Sequence, residues 1–85
     1  MNIISIGLGN FVNADRIIAI VSPESAPVKR LIQESKDKGL VVDSTYGRRT
    51  RSVLVMDSSQ VILSSSQPNT IIERNLNKKS KATDE

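Results

Sequence analysis

The chain has 85 residues and a formal net charge of +3 at pH 7, with neither cysteine nor histidine. This length limits it to one small domain, and the composition excludes disulfides, thiolate chemistry and imidazole metal ligands. A domain of this size gains little stability from its own core, so we expect association with other chains to supply the rest.

The first part of the chain predicts two apolar strands and a helix, separated by turn-forming residues. Ser25 is placed to cap the helix, Pro27 suits its first turn, and Gly39 stands just past its end. The turn after the first strand is expected at Gly9-Asn10. The predicted elements are a strand over 3–10, a strand over 15–22 and a helix over 25–39.

The second part predicts three strands and a short C-terminal helix. The helix is opened by Pro68, with Thr70 and Glu73 at the spacing of a capping box. The predicted strands are Leu40–Thr45, Thr50–Asp57 and Gln60–Ser64, joined by turns at 46–49 and 57–59, and the apolar positions of the helix are Ile71, Ile72 and Leu76.

These elements predict an α+β fold, a small and mainly antiparallel sheet of about five strands with one main helix and a short C-terminal helix. We expect one domain over residues 1–76 and a flexible polar tail over 77–85.

Two of the predicted strands are apolar on both faces, which means that both faces need cover. In the strand Thr50–Asp57, Val53 and Val55 point to one side while Leu54 and Met56 point to the other. The main helix can cover one face, and the short helix is small cover for the second. We therefore expect a homo-oligomer with its interface on that face or at a sheet edge, although the two helices could also suffice.

The sequence gives little support to catalysis, so we expect no enzyme, no metal site and no cofactor. No histidine can serve as a base beside a serine nucleophile, and Asp15, Asp43 and Asp57 lie at strand ends, where aspartate usually satisfies turn backbone groups. The segment "GLGN" lacks the third glycine and the helix of a dinucleotide-binding loop, and "SPESAP" is explained by a helix cap.

No targeting or membrane-spanning segment is evident. The N-terminal stretch has no basic leader, and the longest strongly apolar run, residues 17–21, is far too short to cross a bilayer. We expect a cytoplasmic protein without a membrane partner.

The segment "TYGRRTR", residues 45–51, concentrates three arginines beside a glycine. We predict a hairpin whose tip projects Arg48 and Arg49, with Arg51 on the same strand face as Arg49. Arginine's planar fork suits phosphate and base edges better than lysine does, so this turn is a candidate DNA contact. The alternative is a solvent-exposed hairpin whose charges keep an edge strand from pairing with another chain. Lys78, Lys79 and Lys81 receive no specific role.

The segments "IGLGN", "ADRIIAIVSPESAPVKRLIQ", "TYGRRTR" and "VILSSSQP" closely resemble the bacterial extracellular-matrix regulator RemA family, over about residues 3–74. The resemblance implies a small DNA-binding transcriptional regulator, linked in some bacteria to biofilm matrix genes. It also implies a likeness to the LytTR type of DNA-binding domain and a ring-like homo-oligomer. By the same resemblance, Arg48 and Arg49 carry DNA contact and Arg16 contributes. We expect Arg51 and Arg16 to flank the same surface.

The leading hypothesis is therefore a nucleoid-associated regulator that binds double-stranded DNA as a homo-oligomer. The competing hypothesis is a non-enzymatic interaction module whose arginine turn docks an acidic partner. RNA binding is the weakest of the three, because Phe11 and Tyr46 are the only aromatic residues on which bases could stack.

Overall fold

The computed structural model describes residues 2–74, which form six strands, two helices and a short 3-10 turn. The elements in chain order are β1 (Ile3–Gly7), β2 (Asn10–Asn13), a 3-10 turn (Ala14–Arg16), β3 (Ile17–Val21), α1 (Ala26–Asp37), β4 (Val41–Asp43), β5 (Ser52–Met56), β6 (Val61–Ser64) and α2, which is helical over residues 68–74. The predicted tail and Leu76 lie outside the described residues.

The strands form two sheets, and the α+β class is confirmed. β1 and β2 make an antiparallel hairpin, while the larger sheet has the order β3-β5-β6-β4. Among the strands of residues 2–74, only the pairing of β4 with β6 is parallel. The sixth strand arises because the extended segment after Gly9 folds back on β1 through a two-residue turn. Leu8 and Gly9 both have positive φ there, as a type I′ hairpin turn requires.

The predicted hairpin between β4 and β5 is wrong. β4 lies beside β6, and β5 lies between β3 and β6, so residues 44–51 cross over the end of β6 to reach β5. A glycine-containing turn between two apolar runs is a local signal and does not reveal which strands pair. Of the two strands that are apolar on both faces, β5 takes a central place in the sheet, where both its faces and both its edges are covered, and β3 lies at an edge.

The two faces of the larger sheet carry separate hydrophobic clusters. α1 covers one face through Val28, Leu31 and Ile32, which pack against the buried Val53, Val61 and Leu63. The other cluster lies beneath the β1–β2 hairpin and α2, and its buried members are Ile4, Ile6, Val12, Leu54, Met56 and Ile71. The hairpin therefore supplies the cover that we had expected from a protomer interface or from the second helix.

Serine hydroxyls at and just after the end of β6, and one arginine of α2, hold the β1–β2 hairpin in place. Ser64 and Ser66 both donate through Oγ to the carbonyl of Ile6, at 2.6 and 3.1 Å. The Arg74 guanidinium donates to the carbonyl of Ser5 at 2.9 Å. These contacts give the segment "SSSQP" a structural role and make Arg74 part of the fold.

The ends of α1 follow the prediction. Ser25 Oγ accepts from the backbone N–H of Val28, and Pro27 lies in the first turn. At the other end the N–H of Gly39 donates to the carbonyl of Lys36, and that of Leu40 to the carbonyl of Ser35. This pair of bonds is the Schellman motif.

The predicted capping box of α2 is wrong. The helix already includes residues 68–70, so Thr70 lies within it and does not precede it. Proline is favoured in the first helical position because its φ is already helical and its missing N–H costs no bond there. Pro68 therefore sets the start. Ile71 is fully buried, whereas Ile72 is exposed.

Candidate nucleic-acid interface

The segment Thr45 to Arg51, called the arginine loop below, begins with a tight turn. The N–H of Arg48 donates to the carbonyl of Thr45 at 3.0 Å, and the two residues between them, Tyr46 and Gly47, have φ of +53° and +80°. Positive φ at both central positions defines a type I′ turn, and it places the largest strain on Tyr46 because tyrosine has a Cβ. Gly47 takes the positive φ that the sequence predicted.

Hydrogen bonds hold both ends of the arginine loop. Before it, Ser44 donates to the carbonyl of Leu63 through both its N–H, at 3.0 Å, and its Oγ, at 2.6 Å. After it, the N–H of Arg51 donates to the carbonyl of Ser64 at 2.8 Å. Thr45 is buried, whereas Arg48, Arg49 and Arg51 are exposed. The backbone of the loop is thus held by hydrogen bonds at both ends, and the three guanidinium groups extend from it into solvent.

Asp43 caps the start of the loop. One carboxylate oxygen, Oδ1, accepts from Thr45 Oγ1 at 2.6 Å and from the Thr45 N–H at 2.9 Å. These two bonds, with a smaller contribution from the charge of Lys36, hold the pKa of Asp43 below its ordinary value of 3.8. This confirms that aspartate at this strand end serves the turn backbone.

The arginine loop shares one end of the larger sheet with the N-terminus of α1. β3 runs antiparallel to β5, so its last residue, Val21, lies beside Val53 near the start of β5. α1 begins a few residues later, and its partial positive charge adds to that of the loop. We call this end of the sheet the loop end.

Arg16 lies at the opposite end of the sheet. Ile17 pairs with Met56 at the end of β5, and Arg16 Nη1 lies 3.1 Å from Asp57 Oδ2 in the following turn. Asp57 lies six positions after Arg51, which corresponds to about 20 Å along an extended strand. Within one protomer, Arg16 and the arginine loop therefore form two separate sites, not the single surface that the sequence suggested.

Arg49 and Arg51 lie on one surface, although not through the strand periodicity that the sequence suggested. β5 begins at Ser52, so neither arginine belongs to a strand and the two-residue period does not apply to them. Both instead line a polar cleft of about 220 Å³ at the loop end, bounded by Ser22, Glu24, Arg49, Thr50, Arg51, Gln67 and Pro68.

Glu24 is a component of this site that the sequence reasoning missed. Its Oε1 lies 3.1 Å from Arg49 Nη2, and both side chains are about two-thirds exposed, at 67% and 70%. The two residues are 25 positions apart in the chain. Only the corner between β3 and α1 brings them together, so no local sequence pattern could have revealed the pair.

A known protein family matches most of this chain. The family described as "RemA-like: Extracellular matrix regulatory protein A-like" matches residues 3–74. The chain belongs to the RemA-like family. The match covers the same part of the chain as the resemblance noted from the sequence, and it includes the arginine loop, Glu24 and Arg16.

Similar chains occur in several bacteria. A protein of Clostridium beijerinckii named "Putative regulatory protein" is 55% identical over 85 residues, which cover 100% of this chain and 94% of that protein. A protein of the same name from Carboxydothermus hydrogenoformans is 63% identical over 71 residues, covering 84% and 82%. These names and the family description identify this RemA-like chain as a regulatory protein.

The described part of this RemA-like chain contains no helix that is both long enough and apolar enough to span a bilayer. Among residues 2–74 there is also no group of three or more acidic side chains that could hold a metal ion.

Proposed function

We propose that this chain is a cytoplasmic, nucleoid-associated transcriptional regulator that binds double-stranded DNA through the arginine loop. The observation that carries this proposal is the construction of the loop, in which three exposed arginines stand on a backbone fastened at both ends. A fixed backbone lowers the entropy that must be lost when guanidinium groups bind phosphate. Arg48, Arg49 and Arg51 are the proposed contacts.

The proposed contacts bind the DNA backbone. Arginine binds phosphate through two parallel N–H donors, and the nearby N-terminus of α1 favours the same negative charge. Contacts of this kind position a protein on DNA but read little sequence. Arg16 is proposed as a second contact about 20 Å away along β5, which would let one protomer reach a different phosphate.

A single protomer makes few DNA contacts and is expected to bind weakly, and several linked protomers bind more tightly. We propose that the protomers form a ring-like homo-oligomer. β3 is an edge strand, with Ile18 68% exposed on it. An adjoining apolar groove of about 310 Å³ is lined by β3 residues together with Ile4, Ala14, Ile71 and Ile72. An unpaired strand edge beside apolar surface is suited to a second copy of the chain.

The proposed targets are genes of the extracellular or biofilm matrix. The support for this is the family description, which names extracellular matrix regulation.

A second candidate function is docking of an acidic protein partner. The observation that favours it is the ion pair of Arg49 with Glu24, in which one of the loop arginines binds a carboxylate.

A titration of the purified protein with a random 40-base-pair duplex at low and moderate salt distinguishes the two functions. Retardation at low micromolar protein that weakens steeply with salt supports DNA binding. Absence of retardation, with binding to an acidic polypeptide such as polyglutamate, would favour the docking module.

A further inference from the structure

The polar cleft at the loop end already contains an anion that belongs to the chain itself. Glu24 lies in the corner between β3 and α1, and its carboxylate reaches across the cleft to Arg49. Ser22 helps to shape this corner, because its Oγ accepts from the N–H of Glu24 at 3.3 Å. The carboxylate is therefore presented to the loop by a defined turn.

The other side chains around the cleft are suited to a larger anion than a carboxylate. Arg49 and Arg51 line the cleft together with the hydroxyls of Ser22 and Thr50 and the amide of Gln67. Guanidinium, hydroxyl and amide groups are the donors that proteins use for phosphate oxygens. A volume of about 220 Å³ leaves room for one phosphate group.

We propose that this cleft receives one phosphate of the DNA backbone, and that Glu24 is the internal anion which this phosphate displaces from Arg49. This inference rests on the proposed function and specifies one of its contacts. In the free protein Glu24 neutralises Arg49. On DNA, Arg49 turns to the phosphate, Arg51 and the hydroxyls join it, and the carboxylate of Glu24 moves to solvent.

The consequence is that Glu24 lowers the affinity of each protomer for DNA. Breaking its pair with Arg49 costs free energy, and its negative charge stays near the phosphate afterwards. Because an exposed pair of this kind is weak, the expected effect is about two- to fivefold for each contacting protomer. When several protomers bind one DNA, the two- to fivefold losses of affinity multiply. Tight binding of DNA then depends on several protomers binding together.

The test compares the DNA affinity of five proteins with a random duplex long enough for several protomers, at 50 and 300 mM salt. They are the wild type, Glu24→Gln, Arg49→Ala, the double variant that combines these two, and Glu34→Gln. Glutamine keeps the shape of Glu24 and removes its charge. Glu34 is an exposed carboxylate on α1, so its substitution makes the same change in net charge outside the cleft.

Glu24→Gln is expected to bind at least two- to fivefold more tightly than the wild type at 50 mM salt, with a smaller gain at 300 mM. Glu34→Gln should gain less. In the Arg49→Ala background the Glu24 substitution should have little effect, because Glu24 acts through Arg49. Melting temperature and oligomer size should match the wild type in both glutamine variants.

Two results would overturn this inference alone. In the first, the wild type binds DNA and Glu24→Gln binds it no more tightly. In the second, Glu24→Gln raises DNA affinity equally in the wild-type and Arg49→Ala backgrounds. A wild-type protein that does not bind the duplex at 50 mM salt would instead overturn the proposed function, and this inference with it.

Discussion

Single residues decide how the arginine loop is built. Asp43 turns the chain out of β4 by accepting two bonds from Thr45, and Tyr46 and Gly47 complete the turn with positive φ. The exposure of the loop arginines and the positive φ of Gly47 were predictable, since both follow from residue type and local spacing. The partnership of Glu24 with Arg49 was not, because it depends on the corner that precedes α1.

The Asp43 cap makes a pH-dependent contribution to stability. Its pKa is lower in the folded protein than the ordinary value of 3.8, so the contribution is present above 3.8 and is lost as the pH falls below that value. We expect Asp43→Ala to lower the free energy of unfolding at pH 7 by about 1 kcal/mol, a figure reduced for solvent exposure. The stability difference between the two proteins should narrow as the pH falls below 3.8.

Thermal melts of Asp43→Ala and wild type at pH 7 and pH 2 measure this difference. Thr45→Val serves as a control, since it keeps the volume of a buried side chain while removing one of the two donors to Asp43. The stability of Thr45→Val should depend less on pH than the stability of the wild type does. A stability difference between Asp43→Ala and wild type that is the same at both pH values would rule out the carboxylate as its source.

At the scale of elements, the sequence was informative about which segments form strands and helices and less so about their pairing. Caps and breakers such as Ser25, Pro27 and Gly39 act within a few residues, so the limits of α1 could be predicted. The parallel pairing of β4 with β6 could not be predicted, because it depends on which strand occupies the centre of the sheet. The same is true of β2, whose four residues form a strand only against β1.

Gly39 is the residue on which the end of α1 depends most. Its φ is +71°, and a Cβ placed there would meet no atom within 4 Å, so a substitution is opposed by backbone strain and not by a clash. We expect Gly39→Val to destabilise the protein by about 1–3 kcal/mol. For a domain of this size that lowers the melting temperature by about 5–15 °C.

Gly39→Asn is the matched comparison, because asparagine tolerates the left-handed region far better than valine does. It should lose less than half as much stability. Equal melting temperatures for Gly39→Val and the wild type would mean that the Schellman motif does not constrain the connection between α1 and β4.

At the scale of the whole molecule, the covered sheet faces no longer favour association. We expected an oligomer because the faces of the sheet seemed uncovered, but the β1–β2 hairpin and α1 cover both. The sequence could not reveal this, since nothing local in residues 3–13 specifies packing against β5. The proposed interface now depends on the β3 edge, where Ile18 is exposed beside an apolar groove.

Ile18→Lys is therefore expected to dissociate the proposed oligomer. A lysine on an edge strand opposes pairing with another chain, because its charge would have to be buried. Gln33→Lys adds the same charge on an exposed position of α1 and should leave the assembly intact. Light scattering at micromolar concentration measures both. An Ile18→Lys protein with the wild-type mass, or a wild-type protein that is a monomer of about 9.3 kDa, would remove this interface.

We expect the arginine loop to bind DNA phosphates, and a salt-dependent DNA titration of Arg48→Ala/Arg49→Ala measures this. Lys78→Ala/Lys79→Ala removes the same charge outside the loop and serves as the control. The arginine variant should keep its melting temperature and oligomer size, because exposed arginines add little to folding. Its DNA affinity should fall about tenfold or more, and each lost phosphate contact should flatten the slope of log affinity against log salt by about 0.9. The lysine variant should change much less. Wild-type affinity and an unchanged slope in the arginine variant, with the fold intact, would contradict DNA binding by this loop.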